Sequence, residues 1–152
     1  MMTSVLEDEA YVRRAIELAR QAEAQGDVPI GAILLIGELV FEGKNEKESR
    51  PDATAHAEML VLQAAARHVG AWRLSGATLY VTKEPCVMCA GAIVAARVDR
   101  LVYGCPDPKG GAAGSVVDLV RHSLLNHRVE VTGGVLEAET AAQLQAFFKR
   151  RR

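Results

Sequence analysis

Cysteine is scarce in this 152-residue chain, and its count of three is odd. So few cysteines cannot form the disulfide framework that holds small secreted domains together. Gly and Pro are present in ordinary numbers, 13 and 5, so the composition favours neither disorder nor a fibrous class. With 49% hydrophobic residues, the chain is expected to form one compact domain over residues 1–152.

Long hydrophobic runs are also missing. The longest apolar stretch, residues 30–36, is far too short to cross a bilayer. Residues 1–10 are acidic and lack the basic segment followed by an apolar one that marks a signal peptide. A cytoplasmic protein with no membrane partner is therefore expected.

Charge of one sign does not dominate either, since 18 basic and 19 acidic residues leave a formal net charge of −1. This balance gives no overall reason to expect a nucleic-acid partner. Any such binding must come from a local basic patch. The run Lys149–Arg152 at the end of the chain is one candidate, although a basic run is also a common solvated helix end.

Hydrophobic periodicity and turn residues predict the order α-β-β-α-β-α-β-loop-β-α. The helices are expected around residues 12–22, 55–68, 85–96 and 138–149, and the strands at 30–36, 39–44, 77–82, 101–103 and 129–131. Pro85 is expected at the first helical position, and Ala141, Leu144 and Phe148 on one face of the last helix. Residues 107–115 form a Gly-rich loop. This order predicts an α/β domain in which helices cover a mixed sheet.

Two motifs carry the chemistry: His56-Ala57-Glu58, and Pro85-Cys86-Val87-Met88-Cys89. Cys86 and Cys89 lie three residues apart at a predicted helix start, where the helix dipole favours the metal-binding thiolate. Together with His56 they offer three ligands to one zinc ion. A structural zinc site normally has four protein ligands, whereas a catalytic site leaves one position to water.

The combination H-x-E followed by P-C-x-x-C is the known signature of the zinc-dependent base deaminases. An open zinc site lowers the pKa of water from about 15.7 to about 7, and Glu58 is placed to carry the proton. Either motif alone is a weak signal, but their joint occurrence favours a deaminase. Cys105 would complete a closed site only if the fold brought it there; we expect it to be a small core residue.

Several further segments resemble the bacterial tRNA-specific adenosine deaminases, and the similarity spans residues 11–151. They are Val28-Pro29-Ile30-Gly31-Ala32, Ala53-Thr54-Ala55-His56-Ala57-Glu58, Glu84–Ala92, Gly111-Ala112-Ala113-Gly114-Ser115 and Asn126-His127-Arg128-Val129-Glu130. The resemblance implies a three-layer α/β/α, cytidine-deaminase-like fold with a five-stranded mixed sheet. It also implies a homodimer that converts the wobble adenosine of a tRNA anticodon arm to inosine, releasing ammonia.

The same resemblance assigns roles to individual residues. His56, Cys86 and Cys89 would hold one Zn²⁺ per subunit, and Glu58 would deliver a proton to the ring and then to the departing amine. Asn45 would contact the flipped base, although an Asn after a strand is also a common turn residue. The remaining residues that match substrate-contact positions of the family are Val28 and Ala57 in the base pocket, and Asp107, Lys109, Asn126, Arg150 and Arg151 beside the RNA. His122 is a weaker candidate for an RNA contact.

Two other functions fit part of this pattern. One is a deaminase of a free base such as guanine or cytosine; the Gly-Ala-Ala-Gly-Ser loop and the basic C-terminus favour RNA instead. The other is a non-catalytic, zinc-stabilised RNA-binding module. Glu58 argues against that module, because a structural zinc site needs no proton carrier. The loop 46–50, which follows Asn45, is more acidic than expected beside RNA.

Overall fold

The computed structural model of the chain describes residues 4–151, and the predicted order of elements is confirmed. Within these residues the helices are α1 (Val5–Ala24), α2 (Ala57–Val69), α3 (Val87–Ala95) and α4 (Glu137–Arg150). The strands are β1 (Gly31–Ile36), β2 (Leu39–Lys44), β3 (Thr78–Lys83), β4 (Arg100–Cys105) and β5 (Glu130–Thr132). None of the helices in residues 4–151 has the length and apolar character needed to cross a membrane.

The five strands form one mixed sheet in the order β2-β1-β3-β4-β5. β1 pairs antiparallel with both β2 and β3, whereas β3, β4 and β5 run parallel. The parallel pair β3 and β4 is joined through α3, because parallel neighbours need a crossover connection. The five-stranded mixed sheet predicted from the resemblance is confirmed.

Each face of the sheet is covered by helices, because successive side chains of a strand point to opposite faces. Ile33 and Tyr80 face a small cluster with Val12 and Ile16 of α1. Their chain neighbours, such as Leu34, join the larger cluster that includes residues of α2 and α3. α4 lies on the α1 side, where the Gln143 side chain donates to the carbonyl of Ile16. The arrangement is three layers, helix on sheet on helix.

Close contact between α1 and β1 depends on one glycine. A Cβ on Gly31 would lie 2.0 Å from the carbonyl oxygen of Ala15, a distance that real side chains do not reach. The backbone of β1 therefore approaches the helix more closely than any other residue would allow. The backbone amide of Gly31 also donates to the hydroxyl of Thr82 on β3 at 3.3 Å.

The sequence expectation about the start of one helix is wrong, and the last helix buries a different aromatic residue from the one in the predicted face. Pro85 is not the first helical residue: Cys86 caps the helix in an extended conformation and α3 begins at Val87. Phe148 does not share the buried face of α4, since it is 47% exposed while its neighbour Phe147 is 5% exposed. The buried face runs through Thr140, Leu144 and Phe147, at helical spacings of four and three residues.

Candidate metal centre and active site

Four chain segments meet at one end of the sheet, which we call the site end: the end where β3 and β4 finish. β1 is antiparallel to β3, so it starts there, and β2 finishes there beside β1, with Lys44 opposite Gly31. The residues that follow β2, β3 and β4 therefore emerge close together. Parallel α/β sheets carry their sites at this end, outside the carboxyl ends of the strands.

His56 and Cys86 occupy equivalent positions at the starts of two helices. His56 caps α2 with φ −74° and ψ 150°, and Cys86 caps α3 with φ −76° and ψ 178°. Neither side chain bonds its own helix as a cap, so both are available to face one another. Cys89, one turn further along α3, is fully buried. Two converging helix starts thus supply one imidazole and two sulfurs.

The geometry of these three side chains fits a tetrahedral zinc ion. Nδ1 of His56 lies 3.6 Å from Sγ of Cys86 and 3.5 Å from Sγ of Cys89. Zn–S bonds of about 2.3 Å and Zn–N bonds of about 2.0–2.1 Å place nitrogen and sulfur about 3.6 Å apart in a tetrahedral site. The three ligand atoms all lie within 4.8 Å of one another. The structure brings His56, Cys86 and Cys89 together, and they form a candidate metal site.

The electrostatics of the cluster favour a negative sulfur. Hydrogen bonds from Cys89 and His56 lower the pKa of the Cys86 thiol to about 3. The Cys86 sulfur in turn raises the pKa of Cys89, which donates to it, and burial acts in the same direction. The hydrogen bond to Cys86 also raises the pKa of His56. Thiolate is the form of cysteine that binds metal. Cys86 already favours that form, and Cys89 would release its proton on metal binding.

Glu58 lies beside this cluster in the first turn of α2. Its side chain is 4% exposed, and this burial raises the pKa of its carboxyl group. The Cys89 thiol hydrogen-bonds to the carboxyl, and His56 interacts with it electrostatically. A buried carboxyl group with a raised pKa next to a metal site is suited to general acid–base catalysis.

Cys105 is not part of the metal cluster. It ends β4 with 4% exposure, and its sulfur lies 3.8 Å from the carbonyl oxygen of Thr82. Burial raises the pKa of this thiol. Within residues 4–151 the only grouping of potential metal ligands is the one formed by His56, Cys86 and Cys89. The expectation that Cys105 is a small core residue is confirmed.

Asn45 follows β2 and is held in a fixed orientation. Its Nδ2 donates to the carbonyl of Val28 at 3.2 Å, and its Oδ1 accepts from the amide of Lys47 at 3.2 Å. One N–H and one lone pair of the amide remain uncommitted by these two bonds. Val28 is half-buried, whereas Ala57 is fully buried and packs in the main core. Their roles in base binding stay predictions.

The acidic loop after Asn45 is anchored by a residue that the sequence analysis did not identify. Asp27 is fully buried, and its carboxylate accepts from the amides of Glu48 at 2.5 Å and Ser49 at 3.3 Å. Asp27 therefore joins this loop to the segment that contains Val28. Its only sequence signal is an acidic residue placed directly before an apolar segment, which is too common to be informative.

Glu84 is a second buried carboxylate that the sequence analysis missed. It follows β3 with 2% exposure and accepts from the amides of Asp107, Ala113 and Ser115 at 2.9, 3.0 and 3.1 Å. The hydroxyl of Ser115 donates to it as well. Burial raises the pKa of Glu84, but these hydrogen bonds more than offset that effect and the pKa lies below its usual value.

Asp107 and Lys109 begin the loop at the site end. Asp107 accepts from the amides of Lys109 and Gly110 at 3.1 and 3.2 Å and forms an ion pair with Lys83 at 3.1 Å. Beside them lies a groove of about 990 Å³. Its lining includes four cationic side chains, those of Lys83, Lys109, Lys149 and Arg151, together with the apolar Leu144 and Phe148.

A second groove, of about 420 Å³, adjoins the first, because Phe148 and Arg151 line both. It extends to Val28 and to Glu48 and Ser49 of the acidic loop. Arg151 stacks over the ring of Phe147 at 4.6 Å, and its guanidinium donates to the carbonyl of Gly26. His56, Cys86 and Cys89 line neither groove.

Arg150, Asn126 and His122, which are also predicted RNA contacts, line neither groove. Arg150 forms an ion pair with Glu23 of α1, and Arg152 lies outside the described residues. Asn126 is exposed on the segment that enters β5, whose first residue Glu130 pairs with the start of β4 at the far end of the sheet. None of the described contacts brings Asn126 or His122 to the metal cluster.

Comparison with known proteins identifies relatives over nearly the whole chain. The family model of the MafB19-like deaminases matches residues 6–152. The tRNA-specific adenosine deaminase of Bacillus subtilis is 50% identical over 144 residues, covering 94% of this chain and 89% of that protein. The enzyme of the same name from Haemophilus influenzae is 46% identical over 147 residues, covering 95% and 85%.

Solved structures agree. One from a study of A-to-I editing by tRNA:A34 deaminases at the wobble position of transfer RNA has a TM-score of 0.84 and 43% identity, covering 89% of this chain and 99% of that chain. A guanine deaminase from Nitrosomonas europaea has a TM-score of 0.79 and 25% identity, covering 91% and 83%. The predicted cytidine-deaminase-like fold is thereby confirmed. The chain belongs to the MafB19-like deaminases and, among them, to the tRNA-specific adenosine deaminases.

Proposed function

We propose that the chain deaminates adenosine to inosine at the wobble position of a tRNA anticodon arm and releases ammonia. The observation that carries the proposal is the convergence of His56, Cys86 and Cys89 beside the buried carboxyl group of Glu58. The relatives that share half or nearly half of the sequence are named for adenosine in tRNA, which supports this substrate over a free base.

In this proposal His56 Nδ1 and the sulfurs of Cys86 and Cys89 hold one Zn²⁺ per subunit. Three protein ligands are the number found in catalytic rather than structural zinc sites. When bound, zinc supplies activation of water at neutral pH. The sulfur–nitrogen separations of 3.5 and 3.6 Å support tetrahedral coordination by these three atoms.

Glu58 is the proposed proton carrier. Its carboxylate takes a proton from the attacking water and delivers it to the ring of the adenine. It then takes the proton of the new C6 hydroxyl and passes it to the amine, which leaves as ammonia as the C6 carbonyl forms. Burial keeps this group away from bulk solvent and raises its pKa above the usual value of a glutamate.

Asn45 is proposed to orient the flipped base. Its side chain is already fixed by Val28 and Lys47, so little conformational entropy is lost when the base binds. The remaining N–H and lone pair provide a donor and an acceptor for a purine edge. Val28 and Ala57 are proposed to shape the pocket around that base.

The two adjoining grooves are proposed to bind the RNA that flanks the flipped nucleotide. Lys109 and Arg151, with Lys83 and Lys149, offer positive charge to phosphates. The exposed ring of Phe148 offers a surface on which a base can stack. Asp107 is proposed to contact the RNA from the same loop, and Asn126 and Arg150 are retained as weaker contacts.

The proposal includes a single domain over residues 1–152, a cytoplasmic location, where tRNA is modified, and a homodimer. The homodimer rests on family resemblance alone. Light scattering of the purified protein tests it: a molar mass of twice that of the chain is expected, and a monomer at micromolar concentration would contradict it.

The reaction itself is tested by incubating the zinc-loaded protein with an anticodon stem-loop RNA and sequencing the product. We expect the wobble adenosine to be read as guanosine and ammonia to be released in equal amount. Parallel incubations with free guanine, cytosine and adenosine test the alternative substrates. Deamination of guanine without any change in the stem-loop would reject the proposed substrate.

A further inference from the structure

We propose that Glu84 is a positioning residue for this reaction, since its carboxylate holds the loop 107–115 in the conformation that presents Asp107 and Lys109 to the RNA. The inference rests on the proposed function, because it assigns the loop to RNA binding. Glu84 touches neither the base nor the metal ligands in this assignment. It acts through the loop.

The loop is built around this carboxylate. Oε1 of Glu84 accepts from the amide of Asp107 at 2.9 Å and from the hydroxyl of Ser115. Oε2 accepts from the amides of Ala113 at 3.0 Å and Ser115 at 3.1 Å. Four donors from both ends of one loop therefore converge on a side chain that is 2% exposed. Hydrogen bonds to an ionised acceptor are among the stronger ones in proteins.

Gly111 leaves room for the carboxylate. A Cβ at this position would lie 2.4 Å from the carboxyl carbon of Glu84 and 2.5 Å from each of its oxygens. The backbone of Gly111 does not adopt a left-handed conformation, so any residue could take its φ and ψ angles. The requirement for glycine at 111 is therefore one of space, and it is set by Glu84.

A further hydrogen bond connects the loop to the candidate metal centre. The amide of Ala112 donates to the carbonyl of Pro85 at 2.8 Å, directly before the proposed ligand Cys86. At the other end of the loop, Asp107 accepts from the amide of Lys109 and pairs with Lys83. We expect displacement of the Glu84 carboxylate to free the backbone of Asp107, and Lys109 with it, while His56, Cys86 and Cys89 keep their positions.

Asp8 provides a matched control. It is also a buried carboxylate, 3% exposed, and it binds Arg100 through two hydrogen bonds of 2.8 and 2.6 Å. Arg100 begins β4, so this ion pair lies at the far end of the sheet. Replacing Asp8 by Asn removes the same chemical group from a comparable environment without affecting the loop 107–115.

The first test compares single-turnover deamination of a stem-loop RNA by the wild type, Glu84→Gln and Asp8→Asn. Glutamine keeps the size of the side chain but turns an NH₂ group towards the donors. For Glu84→Gln we expect unchanged zinc content and a maximal rate within about twofold of the wild type. The half-saturating enzyme concentration should rise about tenfold, because the loop must then be ordered when RNA binds. Asp8→Asn should melt at a lower temperature with both kinetic constants unchanged.

A second test displaces the carboxylate without removing it. Gly111→Ala should raise the half-saturating concentration by a similar factor. In the double variant Glu84→Gln/Gly111→Ala this concentration should lie within about twofold of its value in either single variant. Ser115→Ala, which removes one donor of the four, should give a smaller rise of about threefold. Independent, multiplying effects of Glu84→Gln and Gly111→Ala would overturn the proposal.

Hydrogen exchange provides a measurement that needs no RNA. In Glu84→Gln the amides of Asp107, Ala113 and Ser115 should exchange at least about tenfold faster than in the wild type, and in Asp8→Asn at the wild-type rate. Equal exchange in Glu84→Gln and wild type would overturn the role of Glu84, whatever the substrate. A wild type that leaves the stem-loop unedited would instead reject the proposed function.

Discussion

At the residue scale, Glu58 and the three proposed metal ligands are assigned separable tasks. Glu58 is bound to the cluster only through hydrogen bonding and charge, so Glu58→Gln should keep the fold and the zinc while losing the proton carrier. We expect the maximal rate of stem-loop deamination to fall by about 100-fold or more, the usual contribution of general acid–base catalysis. Zinc content is measured by elemental analysis and the fold by circular dichroism.

The control for this variant is Glu42→Gln, which alters an exposed carboxylate on β2 that pairs with Arg14. Its deamination rate should match the wild type. Turnover by Glu58→Gln at the wild-type rate, with full zinc occupancy, would exclude Glu58 as the proton carrier and leave the proposed mechanism without one.

Substitution of a proposed metal ligand should have a different outcome. Cys86→Ala should lose most of its zinc and melt at a lower temperature, because binding free energy of a metal contributes to folding free energy. Cys105→Ala is the matched control, since Cys105 is also a cysteine at the site end but lies outside the cluster. It should retain one zinc per chain. Equal zinc content in the two variants would contradict the assignment of Cys86.

The sequence alone predicted the residues that bind metal better than those that organise the site. His56, Cys86 and Cys89 follow a spacing that zinc chemistry explains. Glu84 and Asp27 do not, because their partners are backbone amides more than twenty residues away along the chain. An amide has no residue identity, so no pattern of side chains records such a contact. The contacts that hold the loop 107–115 and the acidic loop after Asn45 are therefore visible only in the structure.

At the scale of elements, α1 is joined to the parallel part of the sheet by one buried ion pair. Arg100 binds Asp8 of α1 and also contacts Glu130 and Thr132 of β5. Asp8→Ala leaves the guanidinium without its main partner, and we expect the free energy of unfolding to fall by about 3 kcal/mol. Chemical denaturation measures this. The double variant Asp8→Leu/Arg100→Met should recover part of the loss.

A loss in Asp8→Ala below about 1 kcal/mol would show that this pair behaves like an exposed one. Arg13→Ala is the comparison, because the ion pair of Arg13 with Glu139 is exposed on both sides. Its removal should change the free energy of unfolding by less than about 1 kcal/mol.

The order of helices and strands was predictable because apolar residues recur at helical spacing in the helices, and because short apolar runs bounded by turn residues indicate the strands. The differences arose at positions that hydrophobic periodicity does not specify. Pro85 fits the first turn of a helix, yet Cys86 adopts the extended conformation of a cap and moves the start by two residues. Ala141, Leu144 and Phe148 do share a helical face, but tertiary packing rotates α4 so that Phe147 is buried instead.

At the scale of the whole molecule, the topology separates function from stability. The metal donors, Asn45 and both grooves lie at the site end, whereas the ion pair of Asp8 and Arg100 lies at the far end. The site end also carries a local concentration of positive charge beside Asp107, although the net charge of the whole chain is −1. Composition could not reveal the full patch, because only folding brings Lys83 and Lys109 beside the C-terminal run that contains Lys149 and Arg151.

This local charge makes a prediction about salt. If Lys109 and Lys149 each neutralise one phosphate, Lys109→Ala and Lys149→Ala should each make the slope of log K against log salt concentration shallower by about 0.7–0.9. The slope is measured by anisotropy with a fluorescent stem-loop between about 50 and 200 mM salt. Arg67→Ala is the control, because Arg67 lies in the last turn of α2, which begins at the site end with His56 and extends for about 20 Å. Slopes reduced equally by all three variants would mean that RNA is attracted by overall charge and that the grooves do not bind its phosphates.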